Sequence, residues 1–242
     1  MKMDTRVFPD LNALSRAALA ELLRIAQEAV QQRGRFTIAL SGGHTPTKLY
    51  TLWAEAGKQR GGPMPWDRVH LFWGDERCVP WDDPLSNYRM ARETLIEHVP
   101  IPAENVHPIA ADLPQPEKAA ETYESELRKF FGGEPPAFDL QLLGLGVEGH
   151  TASLFPGSPA LEEKRRWVAA VEVAAKPPKR LTLTPVVLNC GRNTLFLVSG
   201  SAKREIMAAL RKEPDSKPSQ YPAGRIRPEG NVLWLLDSSA ES

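Results

Sequence analysis

The stretch "FTIALSGGHTPTKLYTLWAEAG", residues 36–57, sets the pattern for the whole chain. Its first five residues are nearly all apolar, long enough for a buried strand and too short for a helix. "SGG" then supplies glycines for a sharp turn. From Thr47 onward Leu49, Tyr50 and Trp53 return at helical spacing, so the unit is strand, glycine loop, helix.

The same order recurs in both directions along the chain. "VHLFW" (69–73) precedes "GDERCVPWDDPLS" and a helix expected over 87–99, "NYRMARETLIEHV". "FDLQLLGLG" (138–146) runs into the loop "VEGHTASLFPG", and "NTLFLVSG" (193–200) precedes the helical "SAKREIMAALRK" (201–212). "NVLWLLD" (231–237) reads as a closing strand. An opening helix is expected from Leu11 to Arg33, where Leu14, Ala17, Ala18, Leu22, Ile25 and Ala29 recur at helical spacing and Gly34 supplies the stop. Strands that are apolar throughout, alternating with helices, indicate a mostly parallel sheet covered on both faces. The expected fold is an open three-layer α/β sandwich in one domain, 1–242.

Composition narrows the partners. Thirty basic residues balance thirty acidic ones, so no global field draws the chain to nucleic acid or to a membrane surface, and any anion site must be local. Two cysteines, Cys78 and Cys190, form no disulfide framework and lack metal-ligand spacing, which suits a reducing cytoplasm. No run approaches the roughly 18 apolar residues of a membrane span. The 22 prolines are scattered rather than gathered into a linker.

In open sheets ligands bind beyond the carboxyl ends of the strands, and four unusual loops fall there: 41–46, 74–81, 144–157 and 199–203. Ser41, Gly42 and Gly43, with Thr45 as a helix N-cap and Pro46 at the first helical position, suit a phosphate cradle or simply a tight turn. Ser201 is expected to cap the next such helix, whose first turn carries Lys203 and Arg204 against the macrodipole, an arrangement that a bound anion would relieve. Asp75, Glu76 and Arg77 read either as a solvated turn or as a packed loop whose arginine forks onto an anion. Arg180 in "PKRLTLT" is a further cation.

Glu148 and His150 sit two residues apart in the most glycine-rich loop. A carboxylate that near is expected to orient the imidazole and raise its pKa, making His150 a general base for water. The five histidines show no metal-binding spacing, and no G-x-S-x-G elbow marks Ser153 as a nucleophile.

Five ordered blocks, "ALSGGHTP", "WGDERCVPWDDPLSNYRMARETL", "LLGLGVEGHTASLFPGSPAL", "RLTLTPVVLN" and "LVSGSAKRE", closely resemble the 6-phosphogluconolactonase family of the pentose phosphate pathway. The resemblance implies a fold shared with glucosamine-6-phosphate deaminase, no metal or organic cofactor, and hydrolysis of a small sugar-phosphate lactone by a monomer or weak homo-oligomer. It implies His150, Glu148 and Asp75 as catalytic, with Asp75 in a supporting role. Ser41, Gly42, Gly43, Thr45, Arg77, Arg180 and Lys203 would hold substrate and phosphate. Glu148 departs from the family's usual aspartate in G-x-D-G-H-T. Two rival readings are a sugar-phosphate isomerase or deaminase and a non-catalytic sugar-phosphate sensor. Deaminase relatives carry a glutamate five residues after the loop histidine, where Phe155 stands here, and a sensor needs a DNA-binding segment for which the chain has no spare domain.

Overall fold

The computed structural model describes residues 3–57, 62, 64–213 and 218–241. Its main sheet has seven strands, β1 (Asp4–Phe8), β2 (Phe36–Leu40), β3 (Val69–Trp73), β5 (Val106–His107), β6 (Leu140–Gly144), β9 (Asn193–Val198) and β10 (Asn231–Asp237). They lie in the order β1-β10-β9-β6-β2-β3-β5, and every adjacent pair is parallel. β2 is buried at all five positions, as are the last five residues of β9 and of β10, so both faces are covered.

A second sheet, β4-β8-β7, is antiparallel and joins β4 (Asp75–Arg77), β8 (Lys179–Leu183) and β7 (Val168–Glu172). Neither it nor β1 is anticipated from the sequence, because "DER" and "KRLTL" lack an apolar run. The main helices are α1 (Leu11–Arg33), α2 (His44–Gly57), α3 (Asn87–Thr94), α4 (Pro116–Phe131), α5 (Pro185–Leu188), α6 (Arg204–Lys212) and α7 (Pro222–Arg225). α1 matches expectation and ends on Gly34 at φ 74°, a left-handed cap that glycine adopts without a Cβ clash. α3 stops at Thr94, short of residue 99, and a 3₁₀ turn over Ile96–His98 replaces its last turn.

The sheet order reverses direction around β2. Chain going outward one way runs β2, β3, β5, and the other way β6, β9, β10, so the crevice between β2 and β6 is a topological switch point. Register brings the strand ends level: Leu40 pairs with Trp73, and Gly144 with Leu197. The loops after β3, β2, β6 and β9 therefore leave the sheet side by side, as the sequence predicts. Among the described residues no helix is long and apolar enough to cross a membrane.

Candidate active site

The turn after β2 is clamped from α2. The Ser41 N–H donates to the Tyr50 hydroxyl (3.0 Å), which donates back to the Ser41 carbonyl (2.8 Å). Gly43 adopts φ 101°, a conformation that side-chain-bearing residues rarely take. α2 starts at His44, so Thr45 lies within its first turn and is not the expected N-cap; Gly43 precedes the helix instead.

Past β3 the three charges form a packed strand rather than a solvated turn. Asp75 and Glu76 are 6% and 1% exposed. Glu76 Oε1 accepts from the backbone N–H groups of Arg77 and Asn87, and Oε2 from Tyr88 N–H and the Ser86 hydroxyl, at 2.7–3.1 Å. Burial pushes its carboxyl up to about 7, against the pull of those N–H donors. Glu76 thereby ties the start of α3 to β4. Asn87, the first residue of α3, donates from Nδ2 to the Asp75 carbonyl (2.9 Å) and to Asp75 Oδ1 (3.3 Å). Its Oδ1 fills the notch beside Gly42, where a Cβ would meet it at 1.8 Å.

The loop after β6 carries the base. His150 Nδ1 lies 3.1 Å from Glu148 Oε2, a close approach off the axis of a hydrogen bond. The imidazole nests against Gly146, where a Cβ would sit 1.9 Å from Nδ1, and the Phe155 ring stacks on it at 4.0 Å and 16°. Burial lowers the His150 pKa; the charges of Glu148 and Asp75 pull it up and Lys203 pulls it down, and burial prevails. The raised pKa expected from the sequence is thus overturned, because desolvation of the ring outweighs a carboxylate that is 44% exposed to solvent. Burial pushes the Glu148 carboxyl up, but its own backbone N–H, His150 and Lys203 together hold it below the ordinary value.

Between His150 and Phe155 the chain folds back in a tight turn. The Leu154 N–H donates to the Thr151 carbonyl (2.9 Å), and Ala152 takes the left-handed region at φ 47°, which costs a non-glycine residue roughly 1 kcal/mol. Fully buried Ser153 pins the turn: its hydroxyl donates to Asp75 Oδ2 (2.6 Å) and its N–H to the Thr182 hydroxyl (3.2 Å). A serine so engaged is a brace for Asp75, not a free nucleophile.

The cations come from both sheets. Arg77 and Arg180 are cross-strand partners of β4 and β8. Arg77 Nη1 donates to the Leu85 carbonyl (2.6 Å), while its Nε is buried with no hydrogen-bond partner among the described residues. Arg180 is 7% exposed; burial, then the charge of Arg77, lower its pKa, with Asp75 and Glu148 opposing. Lys203 is half-buried and its pKa is lowered by burial, with Glu148 opposing. It ends a 3₁₀ turn, Ser201–Lys203, capped by Gly200, and is itself the residue at the N-cap of α6, so Ser201 is not the expected cap. Arg204 turns away and donates to the Ser239 carbonyl (2.8 Å). Asp75, Arg77, Glu148, His150, Arg180 and Lys203 are linked by mutual electrostatic effects, so residues from three of the four loops and from β8 share one site.

A family model, "Glucosamine-6-phosphate isomerases/6-phosphogluconolactonase", matches residues 9–234. The chain belongs to this family. A 6-phosphogluconolactonase of Synechocystis is 44% identical over 230 residues, covering 94% of this chain and 92% of that protein. The crystal structure of 6-phosphogluconolactonase from Thermotoga maritima superposes with a TM-score of 0.83 at 30% identity, covering 98% and 100% of the two chains. A monomeric glucosamine-6-phosphate deaminase, 21% identical over 98% of each chain, shares the fold at a TM-score of 0.80. The α/β architecture expected from the sequence is therefore the family's.

Within this candidate site, sequence reasoning missed the internal bracing: Tyr50, Asn87, Ser153, Thr182 and the stacked Phe155. Only Asn87 carried a signal, since it follows the N-cap Ser86 at the start of α3. Among the described residues no three His, Cys, Asp or Glu side chains converge as a metal-ligand set. A cavity of about 970 Å³ lies away from the site, around the amino ends of β9 and β10. It is lined partly by the Arg6–Glu21 and Arg24–Glu21 ion pairs and by none of the loop residues above.

Proposed function

We propose that this chain hydrolyses 6-phospho-D-glucono-1,5-lactone to 6-phospho-D-gluconate, with His150 as general base. The observation that supports the reading is the partly buried imidazole of His150, its pKa lowered by burial, at the switch point with Glu148, Asp75 and Lys203 acting on it. Its Nδ1 faces Glu148, which leaves Nε2 to take a proton from water as the water oxygen attacks the lactone carbonyl. The resulting imidazolium is stabilised by Glu148 and, at longer range, by Asp75. Arg77 and the backbone N–H groups of the glycine loops are the donors for the tetrahedral oxyanion. As the ring C–O bond breaks, the proton on Nε2 passes to the departing ring oxygen, giving the open-chain acid.

Lys203 and the Ser41–Gly43 turn would take the phosphate, with the Arg77 and Arg180 pair supplying further positive charge. Two adjacent guanidinium groups repel one another unless an anion lies between them. Phe155 presents no proton-transferring group beside His150, which favours ester hydrolysis over ring-opening isomerisation. The deciding experiment follows acid release from freshly made lactone, corrected for spontaneous hydrolysis. His150→Asn is expected to lose roughly 10²–10⁴-fold in kcat; a near-normal kcat would end the assignment.

A further inference from the structure

The reading of His150 as base leaves open what fixes its ring. The approach of Glu148 is off-axis, and Nδ1 has no aligned hydrogen-bond partner among the described residues. The ring also packs against Gly146 and against the face of Phe155, whose centroid lies 4.0 Å from that of the imidazole at 16°. Phe155 reaches that position only because the chain reverses at Thr151–Leu154 through the left-handed Ala152. The reversal is held from below by Ser153 on Asp75 and Thr182. A strained residue fastened at both sides is the signature of a conformation kept for a purpose. Arg180 lies toward the same phenyl ring, its guanidinium carbon 5.7 Å from the centroid.

We infer that Phe155 is a positioning residue of the reaction: its ring, returned by the Ala152 turn, fixes the plane of the His150 imidazole and excludes water from its face. This rests on His150 being the base. The charged groups around that imidazole are Glu148 on its own loop, Asp75 from β4 and Lys203 before α6, and Arg180 of β8 faces Phe155. Phe155 itself is uncharged, so removing the phenyl ring changes hydration of the imidazole face it stacks on without removing a charge.

The test compares Phe155→Leu, which keeps apolar bulk but loses the flat stack, with Phe155→Tyr, which restores it. Two readouts are needed: NMR titration of the His150 ring without substrate, and kcat and KM for the lactone across pH. In Phe155→Leu the ring pKa should rise by about one unit as water reaches it. kcat should fall on the order of tenfold as the ring loosens, with KM little changed. Phe155→Tyr should return both to wild type. An unmoved His150 titration in Phe155→Leu would overturn the inference, whatever happens to kcat. A shifted titration with unchanged kcat would overturn it too, leaving Phe155 a shield of the ring with no part in the reaction, whereas a near-normal kcat in His150→Asn would remove the base itself, which separates the two claims.

Discussion

Replacing Gly146 by alanine tests the placement of the base with the smallest possible change. The added Cβ would stand 1.9 Å from His150 Nδ1, 2.2 Å from Cε1 and 2.7 Å from Cγ, whereas ordinary contact begins near 3.4 Å. The ring must therefore retreat by about 1.5 Å, the difference between the first and last of those distances. Gly146 is not among the glycines with positive φ, so alanine fits its backbone and the effect is one of contact alone. A misplacement of about 1 Å costs on the order of 10²-fold in rate, equivalent to about 2.7 kcal/mol of transition-state stabilisation. Acid release from the lactone, followed at constant pH, should show kcat reduced by at least that factor. The matched control is Gly144→Ala in the same loop, whose Cβ would come no nearer than 3.9 Å to Ser41 Oγ and should act as wild type. If Gly146→Ala kept more than half of the wild-type kcat, the ring seen against Gly146 would not be the one that takes the proton.

The acid limb of the kcat/KM profile, which reports the free enzyme, should have its midpoint below the ordinary histidine value of about 6.5, because burial lowers the His150 pKa and only the neutral ring accepts a proton. Glu148→Gln removes a charge that raises this pKa, so the midpoint should move further down; an upward shift would contradict the electrostatics. Lys203→Ala should raise KM for the phosphorylated lactone and leave that for unphosphorylated gluconolactone nearly unchanged, and an equal effect on both would misplace the phosphate. Glu76→Gln puts an amide NH₂ against buried donors that now meet a carboxylate oxygen. It should lower stability by about 1–3 kcal/mol, read as a lower Tm, and an unchanged Tm would show that the start of α3 is not held from Glu76.

The parallel sheet was legible because its strands are apolar on both faces: "FTIAL", "VHLFW" and "NVLWLLD" match β2, β3 and β10 residue for residue. The second sheet was not, since β4 and β8 carry Asp75, Glu76, Arg77 and Arg180 at positions whose partners lie about a hundred residues away. Local patterning cannot reveal a pairing made between two charged segments by the architecture around them. The same limit hid the Ser153–Asp75 bond, which spans 78 residues. The direction of the His150 shift was misjudged for a related reason. Sequence spacing places a carboxylate near an imidazole, but burial of the ring depends on Gly146 and Phe155 closing around it in three dimensions.

The fit of Asn87 into the notch at Gly42 ties two distant positions into one unit of inheritance. A methyl group at residue 42 would overlap Asn87 Oδ1 at 1.8 Å, and Asn87 can withdraw only by releasing Asp75. A lineage drifting toward alanine at 42 must therefore first shorten residue 87 and find Asp75 another partner. Neither step is neutral by itself, so natural variation should leave the pair fixed together or exchange both in concert.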